Sequence, residues 1–383
     1  MTVEIMPQTL SWQENEINHA VQWHSESGAR PPRRIVPVND TLTADEALRL
    51  AHEGVGLLWQ GDYQNARQLL QAMARRLDKK TARKKEKTAT RENSRDAFNL
   101  YRLGKAQRAR LLGMLLIRIE PGFHIALRRA PDVQQACEQV YDHTGAFVVS
   151  LRELLGVIGA YEWRRNGVPV PQAGGKIHPF YGVFSPVRGE YLQLLDQAPL
   201  PEGCQTAFDI GTGTGVLSII LAKRGVPHIV ATDLQERAVE CARFNIANLG
   251  HEDVITVEQR SFFPEGKADL IVCNPPWLPA KPSSPLEQAV YDPGSAMLKG
   301  FLQHLPAHLN RNGQGWLIMS DFAEHLGLRS PEDLPDWIRQ AGLTVLERLD
   351  IKPHHAKVTD ATDGLHAARK AEVTRLWRLG VQD

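Results

Sequence analysis

Ala207-Phe208-Asp209-Ile210-Gly211-Thr212-Gly213-Thr214-Gly215 is the stretch on which the reading of this 383-residue chain turns. The apolar run Thr206 to Ile210 suits a buried parallel strand, and it breaks directly into three glycines at alternate positions ahead of an apolar, helix-forming run. Glycine at 211, 213 and 215 lets backbone amides approach a ligand without a Cβ in the way, and the helix that follows offers unpaired N–H groups at its start. The turn is of the nucleotide-binding kind.

Its spacing excludes two common nucleotide turns. A dinucleotide fingerprint needs Gly-x-Gly-x-x-Gly, and residue 216 is Val, so the third glycine falls one position early. The phosphate-cradling P-loop needs Gly-Lys-Ser/Thr, which is absent. The pattern Asp-x-Gly-x-Gly-x-Gly resembles instead motif I of the class I S-adenosylmethionine-dependent methyltransferases. That resemblance implies S-adenosyl-L-methionine as cofactor, held by Asp209, Gly211, Gly213 and Gly215. It further implies an acidic residue ending a second strand, placed to hold the ribose hydroxyls, and Ile229-Val230-Ala231-Thr232-Asp233 supplies Asp233.

Downstream, Asn274-Pro275-Pro276-Trp277 closes the apolar run Ala268 to Cys273. On its own it is also a reasonable strand-ending turn. It matches the Asn/Asp-Pro-Pro-aromatic motif of nitrogen methyltransferases, and the resemblance makes Asn274, Pro275, Pro276 and Trp277 the catalytic set. The chemistry suits these residue types, because an amide or exocyclic nitrogen is a poor nucleophile whose lone pair is delocalised. If the Asn274 side-chain oxygen and the Pro275 carbonyl accept its two N–H bonds, the nitrogen is drawn toward tetrahedral geometry and its growing positive charge is stabilised. The prolines fix φ and hold both acceptors in place. Trp277 offers a planar face for a base or an amide. No strong general base is required, since the proton can leave after methylation and positioning supplies much of the rate. The chain departs from the resemblance at one point: where relatives often carry an acid against the adenine amino group, Arg260-Ser261-Phe262-Phe263 places Ser261, with Phe262 expected to pack on adenine.

From Gln205 onward, strands and helices alternate. Strands are expected at Thr206 to Ile210, His228 to Thr232, Val254 to Gln259, Ala268 to Cys273, Gly315 to Ser320, Thr344 to Leu349 and Val373 to Leu379, with helices between most of them. Such alternation predicts an α/β domain with a doubly wound, mostly parallel sheet, and the resemblance makes it the seven-stranded Rossmann-like methyltransferase sheet, residues 202–383. Ligands of such sheets bind beyond the carboxyl ends of the strands.

Residues 151–201 read as a connector closing the site. Asn166-Gly167 between Tyr161-Glu162-Trp163-Arg164-Arg165 and Val168-Pro169-Val170-Pro171 predicts a hairpin with a type I′ turn. By resemblance to amino-group methyltransferases, Phe184 and Pro186 lie near the methionine end of the cofactor, while His178 is expected to be structural. Residues 1–150 read as a mainly helical accessory domain, with a helix start at Thr43-Ala44-Asp45-Glu46 and a period ambiguous between helix and strand at Leu111 to Leu127.

The formal charge of +1 hides an asymmetry: Arg75 to Arg110 holds 14 Lys/Arg against four acids. Such a segment suits a polyphosphate backbone, although it lacks interleaved aromatics and equally suits a solvated helix face. It favours a nucleic-acid base, in ribosomal or transfer RNA, as the substrate nitrogen, with a flipped base stacked on Trp277. A protein glutamine in a translation factor or ribosomal protein is the alternative, and a catalytically inactive RNA-binding protein of the same fold is a third. Four scattered cysteines point to neither a zinc site nor a disulfide framework. No apolar run is long enough to cross a membrane, and a polar N-terminus leads to the expectation of a cytoplasmic protein with no membrane partner.

Overall fold

The computed structural model describes residues 8–14, 16–87, 94–143, 145–187, 189–282, 287, 289–354 and 363–382. The chain divides into two compact units, Met1–Arg91 with Leu100–Glu162 and Glu92–Asn99 with Trp163–Asp383. The first unit thus extends beyond residue 150, and the expected connector from Trp163 onward belongs to the second.

Strands β1 (Gln8–Glu14), β2 (Ile17–Trp23), β3 (Arg34–Val38), β4 (Val55–Trp59), β5 (Leu115–Ile119) and β6 (Phe147–Ser150) form a mixed sheet in the first unit, ordered β1-β2-β6-β5-β4-β3. They alternate with α1 (Ala44–His52), α2 (Tyr63–Lys87), α3 (Ser94–Leu112) and α4 (Gln134–Glu138). Helix covers more of this region than strand, but the expectation of a mainly helical domain misses a six-stranded sheet. The reason is physical. β4 is buried at every position and β5 at every position but Arg118, so neither shows the alternation that marks a strand with one wet face. Helix α1 begins where its cap predicts, with Thr43 Oγ1 accepting the Glu46 N–H at 3.3 Å.

The expected hairpin at Asn166-Gly167 does not form. Helix α5 (Leu151–Asn166) runs up to it, and Gly167, at φ 69°, closes the helix by donating its N–H to Trp163 O at 2.9 Å. A glycine with positive φ serves a type I′ turn and a helix C-cap equally well. The helix wins because Leu151, Leu154 and Val157 are buried along it. The hairpin lies one step later, pairing β7 (Val168–Val170) with β8 (Gly175–Ile177).

Beyond it come α6 (Glu190–Gln197), β9 (Thr206–Ile210), α7 (Val216–Lys223), β10 (His228–Asp233), α8 (Glu236–Asn248), β11 (Ile255–Gln259) and β12 (Ala268–Cys273). The chain ends through α9 (Ala296–His308), β13 (Leu309–Ser320), α10 (Phe322–His325), α11 (Asp333–Gln340), β14 (Leu343–Ile351), α12 (His366–Ala371) and β15 (Thr374–Val381). All seven expected strands are present, in a single sheet ordered β11-β10-β9-β12-β13-β15-β14, parallel except for the antiparallel β15. Successive residues of a strand face opposite ways. Ala207, Leu270, Val272, Trp316 and Ile318 accordingly enter one apolar layer with α6, α7 and α8, while Phe208, Ile210, Ile271, Cys273, Leu317 and Met319 enter the other with α9 and α11. Covering both faces leaves the strand ends as the accessible part of the sheet.

Candidate active site

The strand order reverses between β9 and β12, whose residues Ile210 and Cys273 are partners in register. Gly211 and Asn274, the next residue of each, therefore leave the sheet side by side at the carboxyl edge. This is the crevice position at which doubly wound sheets take ligands. Asp233, the last residue of β10, ends the neighbouring strand.

The glycine turn is held from beneath. Gly211 and Thr212 both donate their N–H groups to Thr232 O at 2.9 Å. Asp209 is fully buried below the turn, and its Oδ2 accepts from Thr212 Oγ1 at 2.6 Å, Ser218 Oγ at 2.7 Å and Ser218 N at 3.2 Å. Among the described residues its Oδ1 has no partner. Burial pushes this carboxyl up to about 6, against the lowering effect of the Thr212 and Ser218 bonds. The structure thus places Asp209 as the tie between the turn and the first residues of α7.

Two of the glycines differ in what they accommodate. A Cβ on Gly215 would lie 3.3 Å from the Cα and Cβ of Ala242, so this position is where α8 closes against the turn. A Cβ on Gly213 would meet nothing within 4 Å. That open side is where a ligand can approach the backbone. Asp233 stands next to it, its Oδ2 accepting Gly213 N at 3.0 Å and its Oδ1 accepting Gln235 N at 3.0 Å. Burial raises its pKa as well.

At the end of β12, Pro275 is buried and Asn274 and Trp277 are half-buried. The Trp277 indole N–H donates to Asn274 Oδ1 at 2.9 Å, and Arg329 Nη2 donates to Trp277 O at 2.7 Å. Trp277 also packs against both apolar layers. It braces the loop through its indole edge and its carbonyl.

The remaining expected site residues are more scattered. Ser261 is exposed. Phe262 is half-buried at φ 62°, its carbonyl accepting from Thr232 Oγ1 at 2.6 Å, and its ring lies so close to Gly300 that a Cβ there would come within 2.7 Å of Phe262 Cζ. Phe184 is exposed and Pro186 buried. His178 is engaged through its backbone N–H, which donates to Asn245 Oδ1 at 2.7 Å, and through Nδ1, 2.6 Å from Arg164 O. Asn245 also donates to Thr214 O at 3.0 Å, so one buried amide joins the stretch after β8 to the glycine turn. Asn245 and Arg329 carry no signal in the sequence that marks them for these contacts. Neither belongs to a local motif, and their roles arise only where distant segments meet.

The ribosomal protein L11 methyltransferase family matches residues 190–281. A Methanocaldococcus jannaschii protein provisionally named protein N5-glutamine methyltransferase is 30% identical over 152 residues, 38% of this chain and 75% of that one. The chain belongs to the class I S-adenosylmethionine-dependent methyltransferases. Also similar are a ribosomal protein uL3 glutamine methyltransferase of Bordetella pertussis, 29% identical over 44% of this chain and 62% of its own, and a release factor glutamine methyltransferase of Cereibacter sphaeroides, 32% identical over 37% and 59%. The chain therefore spans about three-fifths of the length of these last two relatives.

The cofactor of this methyltransferase is S-adenosyl-L-methionine, and the turn fits it. The open side of Gly213 offers backbone where a side chain would intrude, and Asp233 beside it is an acceptor for hydroxyls. The two glycines make a paired prediction. In Gly213→Ala, αL strain costs about 1–2 kcal/mol of stability, the fold is kept, and S-adenosylmethionine binding weakens. In Gly215→Val the β-branched side chain meets Ala242 at a φ of 80°, and the cofactor-free protein itself loses roughly 2–4 kcal/mol. Thermal melts of the free proteins alongside calorimetric titration check the pair. Equal loss of cofactor affinity at equal stability in both would contradict the division of labour.

Proposed function

We propose that the methyltransferase acts on a planar amide nitrogen, the side chain of a glutamine in a protein of the translation apparatus. The observation that carries the reading is the register of β9 and β12, which sets Asn274-Pro275-Pro276-Trp277 beside the glycine turn. The names of the three relatives, each a glutamine methyltransferase, support this substrate class over the nucleic-acid base favoured by charge alone.

When bound, the cofactor supplies a methyl group on a sulfonium sulfur. Gly211, Gly213 and Gly215 with Asp233 would hold it at the ends of β9 and β10, on the turn that Asp209 ties down; Ser261, Phe262, Phe184 and Pro186 remain candidates for its rim. Asn274 Oδ1 and Pro275 O accept the two N–H bonds of the substrate amide, directing its lone pair at the methyl carbon. The chemistry the cofactor would supply is transfer of that methyl to the nitrogen, the S–C electron pair staying on the departing thioether sulfur and the amide giving up one proton to solvent. Much of the acceleration comes from orientation and from the fixed dipoles of the two acceptors.

A second reading, an exocyclic amine of an RNA base, rests on the charge of Arg75 to Arg110. Part of that charge is already balanced within the first unit: Arg76 pairs with Asp45 at 2.7 Å and Arg108 with Asp78 at 2.8 Å. Side chains 80–94 of the segment lie outside the described residues.

Labelled S-adenosylmethionine offered with total RNA and, separately, with ribosomal proteins and release factors distinguishes these readings. The expected label is nuclease-resistant, protease-sensitive and carried on a glutamine in the peptide map. Label lost to nuclease selects the RNA base, and cofactor binding without any label overturns the enzyme.

A further inference from the structure

We propose that Trp277 is a positioning residue for Asn274, choosing which end of its carboxamide faces the substrate, with Arg329 as the clamp that keeps Trp277 in place. The proposal rests on the function given above and deepens it.

A carboxamide has two ends of nearly equal shape and opposite chemistry. Its oxygen accepts hydrogen bonds, whereas its NH2 only donates. Turned the wrong way, Asn274 would present N–H bonds to the N–H bonds of its own substrate, and the site would repel the group it must activate. Something has to select the oxygen. The indole N–H can only donate, so at 2.9 Å from Asn274 Oδ1 it is matched with the oxygen end alone. An amide oxygen accepts two hydrogen bonds, so this one orients the group and leaves the second lone pair for the substrate.

A selector works only if it is itself immobile. Trp277 packs on both apolar layers of the sheet, and its carbonyl receives Arg329 Nη2 at 2.7 Å. Arg329 is 5% exposed, and among the described residues its Nε and Nη1 have no hydrogen-bond partner. Burying a guanidinium with one hydrogen bond is unfavourable, and an apolar side chain of similar size would do better for stability alone. Asp292, Glu324 and Asp333 lie near enough to ease its charge. Asp292 also joins the same clamp, donating its backbone N–H to Leu278 O at 2.8 Å while its side chain accepts the N–H groups of Met297 and Leu298. The residue after Trp277 is thereby held to the start of α9.

The decisive variant is Trp277→Phe, which keeps a ring packed against the two apolar layers and removes the donor. Its kcat should fall about 10- to 100-fold with substrate KM and cofactor affinity within about twofold, as expected when only orientation is lost. In an Asn274→Asp background both side-chain ends are oxygen, so the choice disappears. There the added Trp277→Phe should cost at most about threefold, a non-additivity that a merely structural role of Trp277 would not produce. The same loss in both backgrounds, or none in the first, overturns the proposal. Arg329→Met, with the fold verified by its melting temperature, should lower kcat in the same direction, and an unaltered kcat removes Arg329 from the clamp. A substrate-independent readout separates this idea from the function beneath it: in 15N-tryptophan-labelled protein, the Trp277 indole N–H resonance should move on Asn274→Ala. If it moves while no substrate accepts methyl, the assigned function fails and the hydrogen bond stands. If it stays, the positioning role fails by itself.

Discussion

Asn274→Ala should lower methyl transfer by about two to three orders of magnitude, the loss seen when one preorganised hydrogen-bond partner of a transition state is removed. Cofactor binding should survive, within about twofold. The separation follows from the topology. The turn proposed to hold the cofactor leaves β9 and is tied to β10, with Gly211 and Thr212 bonded to Thr232 O and Gly213 to Asp233, whereas Asn274 leaves β12 and bonds to Trp277. Truncating Asn274 removes an acceptor for substrate and leaves the turn as it is. Single-turnover rates beside calorimetric titration of S-adenosylmethionine measure both halves. A variant that keeps wild-type turnover would take Asn274 out of the reaction, and one that loses cofactor affinity in parallel would make it a binding residue.

The second large effect concerns stability and pH. Asp209 is fully buried and titrates at about 6, against an ordinary 3.8, chiefly because burial disfavours its charge. A carboxyl with its folded pKa raised favours folding while it is protonated, below the unfolded value. That contribution is lost as pH rises through the folded value. By pH 8 the ionised group costs on the order of 3 kcal/mol relative to the acid form. Asp209→Asn is neutral at every pH and retains an oxygen for Thr212 and Ser218. Its unfolding free energy in urea should exceed that of the natural protein by about 1–3 kcal/mol at pH 8, and the difference should shrink toward pH 4. A variant less stable at pH 8 would mean that the charged carboxylate earns its place through the three bonds to Oδ2. The same variant tests Asp209 as a cofactor residue, since weaker S-adenosylmethionine binding at full stability is the outcome expected of one.

Much of the second unit was legible in the residues. Strand periodicity, the glycine spacing and the position of Asp233 at a strand end are local, and local patterns survive into the fold because each strand and helix buries its own apolar face. The first unit was less legible for the opposite reason: Val55 to Trp59 are buried throughout and Leu115 to Ile119 at all but Arg118, so their composition carries no period. Asn166-Gly167 misled because one backbone conformation serves two structures, and burial of Leu151, Leu154 and Val157 decided for the helix.

The sequence by itself determined the cofactor class and supplied the motif proposed to react, because the spacing of Gly211, Gly213 and Gly215 and the order Asn-Pro-Pro-Trp are properties of consecutive residues. Tertiary structure alone decided that the two lie side by side, since only the β9–β12 register sets Gly211 beside Asn274. It also decided that Trp277 spends its indole N–H on Asn274 and that Arg329, 52 residues further along, holds the Trp277 carbonyl. Hydrogen bonds between segments so far apart depend on how the layers pack around the sheet, and no local pattern encodes them.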